Sequence, residues 1–198
     1  MWIKICGMTT SEAVAAALDA HVDAIGFVFA DSPRQVTPQG AARLADSARG
    51  RVRCVAVTRH PDQQTINEIL TVFRPDVLQT DAADLRMLQL PAQLELLPVL
   101  RRRQDEEKSL PRRMLFEGLA SGAGMPCDWV TARHFAQRAE LVLAGGLNAA
   151  NVAFAIAEVQ PFGVDVSSGV EERPGVKSPA EIARFVSAAR GAFSQESV

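Results

Sequence analysis

Short apolar runs alternate with helix-start signals along the whole chain, and this alternation decides the fold class. Runs at residues 2–6, 23–29, 52–57, 76–80, 94–100, 113–117, 141–146 and 163–169 read as eight strands. Nearly every one is followed by a helical stretch. Thr9 and Glu12 have capping-box spacing, and Thr37-Pro38 reads as an N-cap with Pro at the first helical position. Pro61 opens a helix to about Phe73, Asp128 caps one over 129–140, and Asn148 caps one through Val159. Ser178-Pro179-Ala180-Glu181 opens the last. Strands alternating with helices imply a parallel sheet, and eight such units imply a single-domain (β/α)8 TIM barrel over residues 1–198. A doubly wound open sheet is the alternative. The chain is short for eight units, so one helix must be reduced, and the place expected is after strand five. Residues 82–90 read as a weak helix.

Composition narrows the function classes. A net charge of −2 offers no footprint for nucleic acid or an anionic membrane. The three cysteines are widely spaced and form no CxxC pair, which favours a reducing compartment and gives no metal site. No basic segment leads an apolar core at the N-terminus, and no apolar run is long enough to span a bilayer. A cytoplasmic protein is expected. The mixed-charge stretch 101–113 reads as a solvated loop or frayed helix.

A barrel gathers its strand ends at one rim, so residues far apart in sequence meet there. Cys6 ends strand one and Glu117 ends strand six. Leu115 and Glu117 share a face, so the acid points into the mouth. A thiol there can serve as a base only as a thiolate, which calls for a depressed pKa, and a carboxyl group with a raised pKa can serve as an acid. Gly145-Gly146 after strand seven and Ser167-Ser168-Gly169 after strand eight form a candidate phosphate cradle. Glycines let backbone approach an anion, and serines add hydroxyl donors. Arg34, in the loop after strand two, can grip a carboxylate with two parallel bonds. Lys4 and Asp165 both point inward on strands that neighbour each other in a closed barrel, so an ion pair is expected, and Asp165 is also a candidate substrate contact. His21, His60 and His134 are scattered and read as non-catalytic.

These motifs resemble phosphoribosylanthranilate isomerases of tryptophan biosynthesis. The likeness lies in Lys4-Ile5-Cys6-Gly7-Met8-Thr9, in residues 23–29 with Ser32-Pro33-Arg34, in Leu143-Ala144-Gly145-Gly146-Leu147-Asn148 and in Asp165-Val166-Ser167-Ser168-Gly169-Val170-Glu171. The resemblance implies a cofactor-free Amadori rearrangement of a phosphosugar substrate by general acid–base catalysis. It implies Cys6 as base, Arg34 on the anthranilate carboxylate, and the glycines and serines of the last two loops on the phosphate. A monomer is expected.

The chain departs from the family pattern in three places. Glu117 stands where an Asp acid is usual, the common Q-L-H-G appears as Leu78-Gln79-Thr80-Asp81, and Gln35 follows Arg34 where an aromatic residue is common. A related histidine-pathway isomerase would carry an aspartate in place of Cys6. A non-catalytic phosphometabolite-binding barrel would need neither Cys6 nor Glu117.

Overall fold

A computed structural model describes residues 1–101, 110–118 and 128–195. Eight parallel strands close into a barrel in sequence order: β1 (Trp2–Cys6), β2 (Ala24–Val28), β3 (Arg53–Val57), β4 (Val77–Asp81), β5 (Glu95–Leu100), β6 (Arg113–Phe116), β7 (Glu140–Leu143) and β8 (Gly163–Val166). Closure is made by β1 against β8, with Lys4 beside Asp165 and Ile5 beside Val166. This confirms the barrel over the open sheet. Alternation along each strand sorts the side chains into two layers. Ala24, Val55, Val77, Leu97, Leu115 and Val142 fill the interior, while Ile3, Ile5, Ile25, Phe27, Met114 and Phe116 face the helices. The amino-terminal end is tied by Arg113, whose guanidinium holds Glu95 at 3.0 Å and Glu140 at 2.8 Å.

The outer layer consists of α1 (Ser11–Asp19), α2 (Pro38–Leu44), α3 (Gln63–Glu68), α4 (Trp129–Ala136), α5 (Val152–Val159) and α6 (Pro179–Gln195). Three sequence signals name the right cap. Thr37, Asp128 and Ser178 each accept a hydrogen bond from a backbone N–H of the first turn. Two are displaced by one residue. Thr10, not Thr9, caps α1, and the Thr9 hydroxyl is spent on the carbonyl of Gly175 at 2.7 Å. Asp62 caps α3, so the helix starts after Pro61-Asp62 rather than at Pro61. Asn148, expected as the cap of α5, lies three residues too early: Asn151 takes the N-cap position, and Asn148 orders the turn ahead of it by accepting from Ala150 and Asn151.

The helix expected over 82–90 is a single turn, Asp84–Arg86. Asp84 there spends its carboxylate on the backbone and ring of His60 and on Thr80, bonds that tie the loop to its neighbours instead of extending a helix. The helix between β5 and β6, expected to be reduced, would fall on 102–109, outside the described residues, as do residues 119–126 of the glycine-rich stretch after Gly118. A feature without a sequence expectation follows β8: a hairpin of β9 (Glu171–Arg173) and β10 (Val176–Lys177) folds over the rim. Its turn glycine, Gly175 (φ +82°), sits so close to the loop after β2 that a Cβ would lie 2.5 Å from the Pro33 carbonyl oxygen.

Candidate active site

Cys6, Arg34, Arg101, Glu117, Asp165 and Ser167 line one cavity at the carboxyl ends of the strands. The cavity brings together Cys6, Arg34, Glu117, Asp165 and Ser167 of the expected residues and adds Arg101, whereas Gly145, Gly146, Ser168 and Gly169 do not line it. Cys6 is the last residue of β1 and 94% buried, its exposure being 6%. The chain turns sharply after it. Gly7 (φ +84°) and Met8 both donate to the carbonyl of Gly26 at 2.9 Å. Gly7 needs the left-handed region, and a Cβ there would also press within 2.6 Å of Arg34 Cδ.

Beneath the thiol, Lys4 is fully buried and donates from Nζ to Asp165 Oδ1 at 2.8 Å. This is the ion pair the strand register implies. Burial alone would push the ammonium down, but Asp165 and the Cys6 thiol outweigh it and hold Lys4 above its ordinary value. The thiol behaves otherwise than expected. Burial pushes it up, Lys4 and Lys177 pull it back, Asp165 adds to the rise, and the net is upward. The depressed pKa expected for a thiolate base is absent from the free protein, because a site this deep penalises the anion more than two neighbouring ammonium groups repay.

Arg34 reaches the mouth but already holds a carboxylate of this chain. Its Nε and Nη2 donate to Glu171 Oε1 and Oε2 at 2.7 and 2.8 Å. Lys177 Nζ donates to the same Glu171 at 2.7 Å and to the Ser167 carbonyl at 2.9 Å. Ser167 in turn donates from Oγ to the Cys6 carbonyl at 3.0 Å. A clasp thus runs from β1 through the loop after β8 to the loop after β2. Glu171 belongs to the motif Asp165-Val166-Ser167-Ser168-Gly169-Val170-Glu171 without an expected role, and Lys177 is a member of the site that the sequence motifs do not include.

Glu117 follows β6, its N–H bonded to the Leu100 carbonyl. Its carboxylate pairs with Arg101 Nη1, and Arg101 Nη2 donates to Asp81 Oδ1 at 2.7 Å. Arg101 is a correction to the sequence reading. It heads the charged stretch expected to be solvated, yet it directly follows β5 and its side chain is 15% exposed in the mouth. Gln79 also lines the cavity, and its Oε1 is buried with no hydrogen-bond partner among the described residues. At the rim, His60, Asp81 and Asp84 bring potential ligand atoms within 4.8 Å of one another, a grouping the sequence reading did not foresee. Each acid there already serves another residue, Asp81 through Arg101 and Asp84 through Thr80 and the His60 backbone.

The candidate phosphate loops meet directly. Gly145 and Gly146 take φ of +91° and +66° as the chain leaves β7. Ser168 and Gly169 form a tight turn after β8. A Cβ on Gly169 would lie 1.9 Å from the Leu147 carbonyl oxygen, so this glycine is required by the approach of the two loops.

The family model described as N-(5′-phosphoribosyl)anthranilate (PRA) isomerase matches residues 3–188. The N-(5′-phosphoribosyl)anthranilate isomerase of Mesorhizobium japonicum is 39% identical, covering 96% of this chain and 95% of that protein. The enzyme of the same name from Brucella canis is 38% identical over 98% and 96%. Among solved structures, TrpF from Jonesia denitrificans aligns with a TM-score of 0.81 at 34% identity, covering 98% of each chain. A phosphoribosyl anthranilate isomerase in complex with reduced 1-(o-carboxyphenylamino)-1-deoxyribulose 5-phosphate aligns with a TM-score of 0.77 at 29% identity, over 96% of this chain and 99% of that one.

Proposed function

The chain belongs to the N-(5′-phosphoribosyl)anthranilate isomerase family, and from that premise we propose how its own residues divide the reaction. The reaction is the Amadori rearrangement of N-(5′-phosphoribosyl)anthranilate to 1-(2-carboxyphenylamino)-1-deoxyribulose 5-phosphate in tryptophan biosynthesis. It needs a proton delivered to the furanose oxygen, which opens the ring to a Schiff base. It then needs a proton removed from C2′, after which the enolamine becomes the ketone. Cys6 is the base and Glu117 the acid. The observation that carries this assignment is their convergence on one cavity from β1 and β6.

The Glu117 carboxyl group pairs with Arg101 in the free protein, so it leaves the guanidinium and carries a proton when it acts as an acid. Asp81 on the other guanidinium nitrogen keeps Arg101 in place when it does. Arg34 faces the anthranilate carboxylate with Nη1, the nitrogen that Glu171 does not use. Gly145, Gly146, Ser167, Ser168 and Gly169 hold the phosphate through backbone N–H groups and hydroxyls. Asp165 contributes from below, on the inward face of β8. Acid–base groups suffice for every step, so no cofactor enters. We further infer a single-domain monomer acting in the cytoplasm. The described residues contain no helix long and apolar enough to cross a membrane.

Turnover is followed by the loss of the substrate's anthranilate-type fluorescence. The purified protein is expected to consume the substrate, and Cys6→Ser is expected to lower kcat by about 10²–10⁴-fold. A wild-type protein that binds the substrate and leaves its fluorescence unchanged would overturn the reading.

A further inference from the structure

We propose that Lys4 is the positioning residue of the base: its buried ammonium is shared between Asp165 and Cys6, and this sharing governs how readily Cys6 becomes a thiolate. The inference rests on Cys6 as the base of the isomerase reaction.

The geometry brings the three groups together on the inner face of the barrel. Lys4 lies two residues before Cys6 on β1, so both side chains point inward. Across on β2 stands Gly26, whose missing side chain leaves the space both occupy. A Cβ there would lie 2.9 Å from Cys6 Sγ and 3.2 Å from Lys4 Cε. An ammonium has three donors. One goes to Asp165 Oδ1 at 2.8 Å, and the ammonium's charge also acts on the neighbouring Cys6 thiol.

The rest of the barrel interior argues that this pair is there for the thiol. That layer is largely apolar, built from Ala24, Val55, Val77, Leu97, Leu115 and Val142, with Gln79 as a buried polar side chain nearer the mouth. An apolar pair of similar volume is often as stable as a buried ion pair or more so, so stability alone gives no reason for charges at this depth. The charged groups facing the thiol are Lys4 from β1, Asp165 from β8, Lys177 from β10 and Arg34 from the loop after β2. Two of these cations are committed elsewhere. Lys177 serves Glu171 and both the carbonyl and hydroxyl of Ser167, and Arg34 serves Glu171. Lys4 is the cation whose other partner, Asp165, competes directly with the sulfur.

This arrangement makes opposite forecasts for its two ends. Removing the ammonium with Lys4→Met disfavours the thiolate. Removing the competing charge with Asp165→Asn turns the ammonium toward Cys6 and favours it. The measurement is the rate of iodoacetamide alkylation of Cys6 in the substrate-free protein against pH, read peptide by peptide by mass spectrometry. Buried Cys54, whose thiol burial pushes up to about 11, serves as the internal control for loosening of the fold.

Below the thiol pKa, Lys4→Met is expected to slow Cys6 alkylation by about tenfold or more, and Asp165→Asn to speed it, with Cys54 unchanged in both. Lys4→Arg keeps the cation and is expected to restore much of the rate. A purely structural role predicts that both variants speed alkylation, at Cys54 as well as Cys6; that result, or an unaltered rate in Lys4→Met, overturns the proposal. Should Lys4→Met not fold, Asp165→Asn decides alone, since a rate at Cys6 that does not rise contradicts the competition. The wild-type turnover assay tests the isomerase reading separately, because the alkylation pattern involves no substrate.

Discussion

Arg34 and Glu171 face each other across the mouth of the barrel in a two-point ion pair, 2.7 and 2.8 Å long, with Lys177 as a third member. They come from the loop after β2 and the hairpin after β8, so the pair closes the rim at the seam where the barrel joins its ends. It holds a guanidinium in a fixed plane ahead of any substrate, and a preset orientation lowers the entropy lost on binding.

Glu171→Gln is expected to damage both functions of this clasp. Two cations would face each other beside Ser167 without their shared carboxylate. A loss of up to about 3 kcal/mol in denaturant unfolding is expected, the low end for breaking a buried pair. KM should rise more than kcat falls, because the groups affected bind rather than react. The pH dependence has a definite sign. Burial pushes the Glu171 carboxyl up, and hydrogen bonds from Arg34 and Lys177 more than offset this, so its folded-state pKa lies below the ordinary value of about 4.3. The clasp therefore stabilises the fold fully above that value and is lost as pH falls through the lowered one. Acid unfolding of Glu171→Gln should lack this component. Coincident acid transitions for variant and wild type would contradict it.

Gly26→Ala tests how tightly the base is held. The new Cβ would crowd Cys6 Sγ and Lys4 Cε, both of which are side-chain atoms and can shift by a few tenths of an ångström. The fold should survive with a modest fall in Tm, while kcat falls about tenfold or more, since displacing a reacting group by a fraction of an ångström is costly. A variant with wild-type kcat would show that the thiol has more freedom than its packing implies.

Much of this arrangement is legible in the sequence, for local reasons. Strand alternation gives each residue's face, and chain closure gives its neighbour, so Lys4 and Asp165 could be paired from periodicity alone. Most caps are legible to within one residue, because a hydroxyl or carboxylate serves the first turn only at short range, whereas α5 starts three residues late because Asn148 is spent on the turn before it. What escapes is side-chain reach between loops. Arg34–Glu171 depends on a hairpin that no periodicity announces, and Arg101 stands at the head of a charged run that masks its inward direction. The upward shift of Cys6 depends on depth, which no spacing reports.

Gly169→Ala separates the two candidate phosphate loops. The Leu147 carbonyl oxygen, 1.9 Å from the new Cβ, is backbone and must move with its loop. Inorganic phosphate and sulfate should protect the variant from thermal unfolding less than they protect the wild type, and KM should rise about tenfold or more. Unchanged anion protection would place the phosphate at another part of the rim.

Glu117→Gln bears on the acid itself. The amide keeps the size and hydrogen bonding of the carboxyl group but cannot donate a proton to the furanose oxygen in the same way. It also leaves Arg101 with Asp81 as its remaining carboxylate of the pair observed here. Substrate binding should be nearly intact and kcat should fall by roughly 10²–10⁴-fold. Glu117→Asp should retain partial activity, because the shorter acid stands on a strand end adapted to the longer one. Asp128 provides the control. It accepts from the backbone N–H groups of Val130 and Thr131 and from the Thr131 hydroxyl, so it is committed to capping α4. Asp128→Asn should cost little, since Asn caps nearly as well. Steady-state kinetics on the three variants decide the matter: near-normal kcat in Glu117→Gln together with an inactive Asp128→Asn would move the acid from the end of β6 to the start of α4.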